Sequence, residues 1–304
     1  AEDGIRDIGV TGVQTCALPI FRWFVDGAKG QFRIIISSQR AAGQVNNMLA
    51  SSSLPFSLAG RVALVTGSST GLGKATAECL GRAGARLAIN YAHDTSRAED
   101  VIVKLRSAGV EACLFRADVT NAAEIDEMFA AIETSLGPVD VVVVNATPAQ
   151  PLKPIEEYDW DFYQQMLDYF VKSPYLLARR ALPGMKARRH GRLINVTSEV
   201  FHLGVSPYSA YVAAKGGQTG WSRSMCNELA PFGITVNMIS PGWIPVERHA
   251  NDPLSDREDY LASVPAGRWG RPEDVGWAAV YLASDEAAFV TGQTIAVNGG
   301  KTCW

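Results

Sequence analysis

Tyr211 and Lys215 are the two residues whose types and spacing most directly indicate chemistry in this sequence. They are four positions apart, and this spacing places two side chains next to each other on one face of a helix. A phenol with a pKa of about 10 is a poor base at neutral pH, but a neighbouring ammonium favours the phenolate. The pair could therefore move a proton to or from a substrate. Taken alone, a tyrosine and a lysine at this spacing are more often ordinary helix surface.

A glycine-rich turn, residues 66–73, lies between a strand candidate at 61–65 and a helical segment at 74–83. Its glycines are Gly67, Gly71 and Gly73. Because glycine has no side chain, the backbone can approach a pyrophosphate, whose charge is met by N–H groups at the helix N-terminus. Glycines also serve ordinary tight turns, so the prediction of a phosphate site depends on the strand and helix on either side.

The second strand candidate, residues 87–91, ends in Asn90-Tyr91-Ala92 and carries no carboxylate. In dinucleotide-binding folds an acidic side chain at this place binds the ribose hydroxyls of NAD. Its absence favours NADP(H) as the cofactor, with NAD(H) still possible. Ser69 and Thr70 are candidates to bind the additional phosphate.

Short apolar runs alternate with amphipathic segments from residue 56 onward. The four valines at 141–144 are apolar on both faces, which is typical of a central parallel strand covered by helices. This alternation predicts an α/β fold with one doubly wound parallel sheet. Ligands of such sheets bind at the carboxyl ends of the strands, where we expect Gly67, Asp118 and Asn145.

Composition excludes several classes of function. The chain of 304 residues is 47% hydrophobic with a net charge of -3, so it offers no basic field for nucleic acid. No apolar run approaches the length of about 18 residues that a membrane span needs. The five cysteines are scattered and lack metal-ligand spacing, which predicts no metal site and favours a reducing, cytoplasmic location.

Residues 1–55 lack the periodicity of the remainder, and we expect a disordered leader there, with one domain at 56–304. Residues 1–20 resemble a translated sequencing-library adapter, so we interpret them as an assembly artefact that does not belong to the fold. A natural leader is the alternative. Met48 is a candidate for the true start.

Four motifs together resemble the short-chain dehydrogenase/reductase family, over residues 56–300. The turn at 66–73 resembles the family's cofactor turn, and Ser198, thirteen residues before Tyr211, resembles its arrangement of a serine followed by YxxxK. The motifs at 240–242 (Ser-Pro-Gly) and 271–274 (Arg-Pro-Glu-Asp) resemble later landmarks. The resemblance implies a single-domain Rossmann fold.

It also implies an oxidoreductase that moves hydride between NAD(P)H and a carbonyl or secondary alcohol. Tyr211 would be the general acid or base, Ser198 would hydrogen-bond the substrate oxygen, and Lys215 would lower the phenol pKa and hold the nicotinamide ribose. The substrate would be a small molecule, a 3-oxoacyl thioester or else a sugar or polyol. The family also implies a homo-tetramer or homo-dimer, paired through the helices that carry Phe170 and Tyr211.

Further cofactor contacts are implied along the strand ends. Asp118 and Val119 would flank the adenine, Asn145 would lie along a ribose, and Ile244 would offer its backbone to the carboxamide. The full set of implied cofactor-binding residues is Gly67, Ser69, Thr70, Gly71, Leu72, Gly73, Asn90, Asp118, Val119, Asn145, Tyr211, Lys215, Pro241, Gly242 and Ile244.

Three positions depart from the family's pattern. Phe170 stands where an asparagine relays protons from the lysine, Thr147 where a glycine is usual, and Val246 where a threonine often steadies the carboxamide. Two interpretations remain open: an active enzyme with another proton path, or a nucleotide-binding protein with little turnover. We favour the active enzyme, because Ser198, Tyr211 and Lys215 are all present.

Overall fold

The computed structural model describes residues 55–303 and, before them, two short strands. The chain divides into two compact units, Ala1–Pro55 and Phe56–Trp304. In the first unit, β1 (Arg22–Val25) pairs antiparallel with β2 (Phe32–Ile35). The sequence does not predict these strands. The adapter-like residues 1–20 and the other parts of the leader lie outside the described residues.

A seven-stranded sheet forms the centre of the second unit. Its strands are β3 (Val62–Val65), β4 (Arg86–Tyr91), β5 (Ala112–Arg116), β6 (Val141–Val144), β7 (Gly191–Val196), β8 (Ile234–Pro241) and β9 (Thr294–Val297). Their order across the sheet is β5-β4-β3-β6-β7-β8-β9, and each neighbouring pair is parallel. The strand order reverses between β3 and β6, where such folds open a crevice for ligands. The predicted doubly wound sheet is confirmed.

Helices cover both faces of this sheet. They are α1 (Gly71–Arg82), α2 (Thr95–Ser107), α3 (Ala122–Ser135), α4 (Trp160–Leu167), α5 (Ser173–Arg188), α6 (Val200–Leu203), α7 (Ser209–Leu229), α8 (Leu254–Ala262) and α9 (Pro272–Ala283). Because side chains alternate along a strand, Val65 and Val143 face α1, α2 and α9. Leu64 and Val142 face α3, α5 and α7, so two apolar cores enclose the sheet.

A five-residue π-helical segment, Asp168–Lys172, separates α4 from α5. Pro174 follows as the second residue of α5, directly after this segment. Single π-helical turns are frequent at functional sites. This one buries Phe170 in a small apolar cluster with Met166 and Tyr211.

Within the described residues, no helix combines the length and the apolarity that a membrane crossing requires. Across residues 55–303, no three His, Cys, Asp or Glu side chains come together as a metal site. The described cysteines are free thiols: Cys79, Cys113, Cys226 and Cys303.

Candidate active site

The glycine turn has the geometry that a closely approaching phosphate needs. Gly67 and Gly71 have φ angles of +61° and +55°, in the left-handed region that favours glycine. A Cβ at Gly73 would clash with the Gly67 carbonyl oxygen and with the amide of Asn145. Helix α1 begins directly at Gly71, so its free N–H groups face the turn. Ser69, Thr70 and Leu72 are half-buried around it.

Thr66 and Asn145 connect this turn to the end of β6. The Thr66 hydroxyl accepts hydrogen bonds from the backbone N–H groups of Asn145 (2.9 Å) and Ala146 (3.0 Å). The Asn145 side chain donates to the carbonyl oxygens of Thr66 (3.0 Å) and Gly67 (3.2 Å). Both residues therefore fix the shape of the turn. The sequence alone assigns no separate role to Thr66.

Asn90 supports the turn from inside the protein. It is 2% exposed, its side-chain oxygen accepts from Gly67 N at 3.2 Å, and its side-chain nitrogen donates to Ala117 O at 3.1 Å. Tyr91, the next residue, is the half-buried one at the strand end. At the end of β4, Tyr91 is thus the accessible side chain, while Asn90 is buried and shapes the turn.

The remaining predicted cofactor contacts lie at other carboxyl ends of the sheet. Asp118 follows β5, and its carboxylate accepts from the backbone and hydroxyl of Thr120, both at 2.8 Å. Val119 beside it is buried. Pro241 ends β8, Gly242 N donates to Val297 O at 3.0 Å, and Ile244 is buried. The structure therefore places these positions along one edge of the sheet.

Tyr211 and Lys215 lie in the first two turns of α7, and both are buried, at 8% and 3% exposed. Tyr211 shares a hydrogen bond with Ser198, which follows β7. Burial raises the pKa of the Tyr211 phenol above its ordinary value, and the charge of Arg248 and the Ser198 hydrogen bond oppose this. The three predicted catalytic side chains are brought together.

The Lys215 ammonium is held by three neighbours. It donates to Val196 O at 2.7 Å and to Gln218 Oε1 at 3.0 Å, and it lies 3.7 Å from the centroid of the Phe170 ring. Its distance to the Tyr211 ring centroid is 5.6 Å. Burial holds the pKa of Lys215 well below its usual value, and the charge of Arg248 adds to this. Burial thus favours a protonated Tyr211 and a less basic Lys215.

A short segment after β8, the 3-10 turn Glu247–His249, covers the turn and the catalytic side chains. The Glu247 carboxylate accepts from Gly71 N at 3.0 Å, and Val246 packs on Gly71 at 3.4 Å from where a Cβ would stand. Arg248 follows directly and acts on both Tyr211 and Lys215. Sequence reasoning noted Val246 only as a departure and missed Glu247, for which no local motif gives a signal.

Glu199 and Tyr260 join the catalytic serine loop to α8. The Tyr260 hydroxyl donates to Glu199 Oε1 at 2.6 Å and accepts from Trp243 N at 2.7 Å. Burial raises the pKa of Glu199, which is 3% exposed. Trp243, Tyr260 and Trp269 line a cavity of about 420 Å³ next to Gly242. The packing of these aromatic side chains joins the segment after β8 to α8.

The chain is similar to one known protein family and to several known enzymes. The family model described as enoyl-(acyl carrier protein) reductase matches residues 67–302. The 3-oxoacyl-(acyl-carrier-protein) reductase of Vibrio cholerae is 40% identical over 249 residues, which are 81% of this chain and 98% of that protein. The enzyme of the same name from Staphylococcus aureus (strain N315) is 37% identical over 242 residues, 78% of this chain and 96% of that protein.

Solved structures give the same picture. A putative gluconate dehydrogenase from Agrobacterium tumefaciens superposes with a TM-score of 0.78 at 36% identity, covering 82% of this chain and 98% of that one. A gluconate 5-dehydrogenase from Burkholderia cenocepacia, in complex with NADP and tartrate, gives 0.76 at 31% identity, with 81% and 96% covered. A 3-oxoacyl (acyl-carrier-protein) reductase from A. tumefaciens, with NADP bound, gives 0.74 at 32% identity, with 81% and 95% covered.

Proposed function

Because this chain belongs to the short-chain dehydrogenase/reductase family, we propose that it is an NADP(H)-dependent oxidoreductase that interconverts a carbonyl group and a secondary alcohol. The observation that carries this proposal is the grouping of Ser198 with the buried Tyr211 and Lys215: Tyr211 shares a hydrogen bond with Ser198, and Lys215 Nζ lies 5.6 Å from the Tyr211 ring centroid. A hydroxyl, a phenol and an ammonium together supply what carbonyl reduction needs: a hydrogen-bond donor, an acid and a stabilising charge.

The residues present fit a dinucleotide. Gly67 and Gly71 hold the turn in the left-handed backbone region without side chains, and α1 begins at Gly71, so its first N–H groups lie at the turn, as a pyrophosphate requires. Tyr91 at the end of β4 carries no negative charge, which supports NADP(H) over NAD(H). We assign the phosphate to Ser69 and Thr70, beside the same turn. When bound, the cofactor supplies the hydride.

The protein's own side chains manage the proton. In reduction, Ser198 donates a hydrogen bond to the substrate oxygen, which orients the carbonyl and stabilises the charge that develops there. The Tyr211 hydroxyl gives its proton to that oxygen, and the alcohol forms. Lys215 stabilises the phenolate that remains on Tyr211. In the reverse direction the phenolate takes the proton back.

We propose a 3-oxoacyl thioester as the substrate class, because relatives at 37% and 40% identity carry that activity in their names. A sugar acid is the second candidate. Arg248 favours it, since its charge acts on Tyr211 and, within residues 55–303, no carboxylate forms an ion pair with it. A substrate carboxylate could take that place. Two similar solved structures are gluconate dehydrogenases.

The test is consumption of NADPH or NADH by the full chain with a panel of 3-oxoacyl thioesters and oxidised sugar acids. We expect turnover with NADPH, and Tyr211→Phe should lower kcat by about 10²-fold or more, since it removes the acid. NADPH binding should be retained. Tyr175→Phe is the matched control, because Tyr175 is 45% exposed on α5. Tight NADPH binding without turnover on any substrate would favour the nucleotide-binding interpretation instead.

We propose further that residues 56–304 form a single catalytic domain and that the chain assembles as a homo-tetramer or homo-dimer in the cytoplasm. The cytoplasmic location is supported by the free thiols among the described cysteines. The helices that carry Phe170 and Tyr211 would form the pairing surface. Sedimentation of the full chain and of a chain starting at Met48 tests both points. Monomeric particles, or loss of folding without residues 1–47, would contradict them.

A further inference from the structure

We propose that Gln218 is a positioning residue, whose amide oxygen holds the Lys215 ammonium in place beside Tyr211. The inference rests on the proposed function, since it concerns the proton that Tyr211 transfers to or from the substrate oxygen. Gln218 lies three residues after Lys215, on the same face of α7. Its Oε1 accepts from Lys215 Nζ at 3.0 Å.

The surroundings of Lys215 make this acceptor important. Nζ is buried, and no carboxylate of residues 55–303 lies within ion-pair distance of it. A buried cation must be compensated by hydrogen bonds or by an opposite charge. The other acceptor is the Val196 backbone carbonyl at 2.7 Å, so Gln218 supplies the side-chain part of that compensation.

The burial of the Gln218 amide is energetically unfavourable, which indicates that this side chain has a role. The residue is 1% exposed, and its Nε2 has no hydrogen-bond partner. The amide cannot turn round, because its NH2 group would then face the ammonium, and both would be donors. A leucine here would avoid the unpaired donor. A buried polar group left partly unsatisfied is uncommon enough that it calls for an explanation, and acceptance from Lys215 is the one this site offers.

Hydrogen bonds connect the helical turn that carries Gln218 to strand β7. Its backbone carbonyl accepts from the Ser222 hydroxyl at 2.7 Å, and the Ser222 oxygen in turn accepts from the Asn195 side chain at 2.8 Å. Asn195 belongs to β7, the strand that ends next to Ser198. The position of Gln218 is therefore fixed relative to the catalytic serine.

Phe170 packs against the same ammonium. Its ring lies 3.7 Å from Nζ and meets the Tyr211 ring edge-on at 5.3 Å. A ring face attracts a cation but accepts no hydrogen bond in the way an amide does. Position 170 therefore offers an aromatic ring where the family pattern has an asparagine, and the amide oxygen that binds Lys215 comes from Gln218 on α7. Phe170 and Gln218 thus act together on Lys215.

Loss of the acceptor should change the ionisation of Tyr211. Without Gln218 Oε1 the ammonium is less stable, and a less charged Lys215 supports the phenolate less. In alcohol oxidation the rate rises with pH as Tyr211 loses its proton. We expect Gln218→Leu to move this rise upward by about one pH unit and to lower kcat, with little change in the KM for NADP+.

The experiment compares full-length variants by the pH profile of kcat/KM for the oxidation of a 3-hydroxyacyl thioester with NADP+. Gln218→Leu should shift the profile upward, and Gln218→Met, which keeps the side-chain length but has no amide oxygen, should shift it by a similar amount. Phe170→Asn combined with Gln218→Leu should reverse part of the shift, because it supplies an amide oxygen at position 170. Gln293→Leu, on the exposed approach to β9, controls for loss of a glutamine. A Gln218→Leu variant that loses rate while its profile stays in place would show a merely structural role and overturn the proposal.

A second readout needs no substrate. Ultraviolet titration of tyrosinate, taken as the difference between each variant and its Tyr211→Phe derivative, follows the Tyr211 proton directly. The apparent pKa of Tyr211 should be higher in Gln218→Leu than in the wild-type chain. If the wild-type chain shows no turnover, the proposed function fails while this comparison still decides the role of Gln218. Equal titration curves would overturn it.

Discussion

The Glu247 carboxylate uses the N–H group that α1 presents at its first residue. It accepts from Gly71 N at 3.0 Å, at the point where the proposed function places a pyrophosphate. A carboxylate at a helix N-terminus is favourable for the same reasons that a phosphate is, namely the free N–H groups and the helix dipole. Glu247 and the cofactor would therefore compete for this site.

We expect Glu247→Gln to bind NADPH about two- to fivefold more tightly, the range that corresponds to one anion at a helix N-terminus. The change removes the competing charge and its repulsion of the cofactor phosphates. Titration of NADPH fluorescence measures the affinity. Glu258→Gln is the matched control, because Glu258 is an exposed glutamate on α8, the helix that follows the turn Glu247–His249 in the chain. Equal affinities for the two variants would show that Glu247 does not compete.

Individual residues of the candidate site differ in how far the sequence could predict them. The pair Tyr211 and Lys215 follows from helical spacing alone, because positions four apart on a helix are neighbours in any fold. Asn90 and Tyr91 could not be distinguished, because the side chains of a strand alternate and its register decides which one points inward. Gln218 lies at a helical spacing from Lys215, so its contact was within reach of the same reasoning.

At the scale of elements, the strands and the glycine turn were predictable because their patterns are local. The valines of β6 are all buried, as a strand apolar on both faces requires. The segment between β6 and β7 is not one uninterrupted α-helix. It contains a loop, α4, the π-helical segment and α5. A π-helical turn inserts one residue into the helical ladder, and no residue pattern marks it.

The same segment determines which side chain packs against the catalytic lysine. The π-helical turn Asp168–Lys172 contacts α7, and it places Phe170 against Lys215 and Tyr211. The sequence identified Phe170 as a departure by its position. Only the packing of the two elements shows that the ring covers the ammonium, because that contact joins residues forty-five positions apart.

At the scale of the whole molecule, charged groups collect at the amino edge of the sheet, opposite the candidate site. His190 Nε2 lies 3.4 Å from Asp285, and its Nδ1 lies 3.9 Å from Asp140. The Asp285 carboxylate also pairs with Arg61 at 3.1 Å and with Arg192 at 3.4 Å. Burial lowers the pKa of His190, and the charges of Arg192 and Arg61 add to this more than the two carboxylates oppose it.

The stability of the fold should fall in mild acid because of this histidine. Its pKa is lower in the folded chain, so the unfolded chain takes up the proton first as the pH falls, and protonation pulls the equilibrium toward unfolding. Thermal unfolding between about pH 7 and pH 5.5 covers the ordinary histidine pKa. Over this pH range we expect the thermal unfolding midpoint of His190→Gln to fall by about 2 to 4 °C less than that of the wild-type chain. A difference of about 1 kcal/mol in the free energy of unfolding produces such a shift in a protein of this size. His93→Gln, on the exposed loop after β4, should behave like the wild type, and identical losses in all three chains would show that His190 does not set the acid sensitivity.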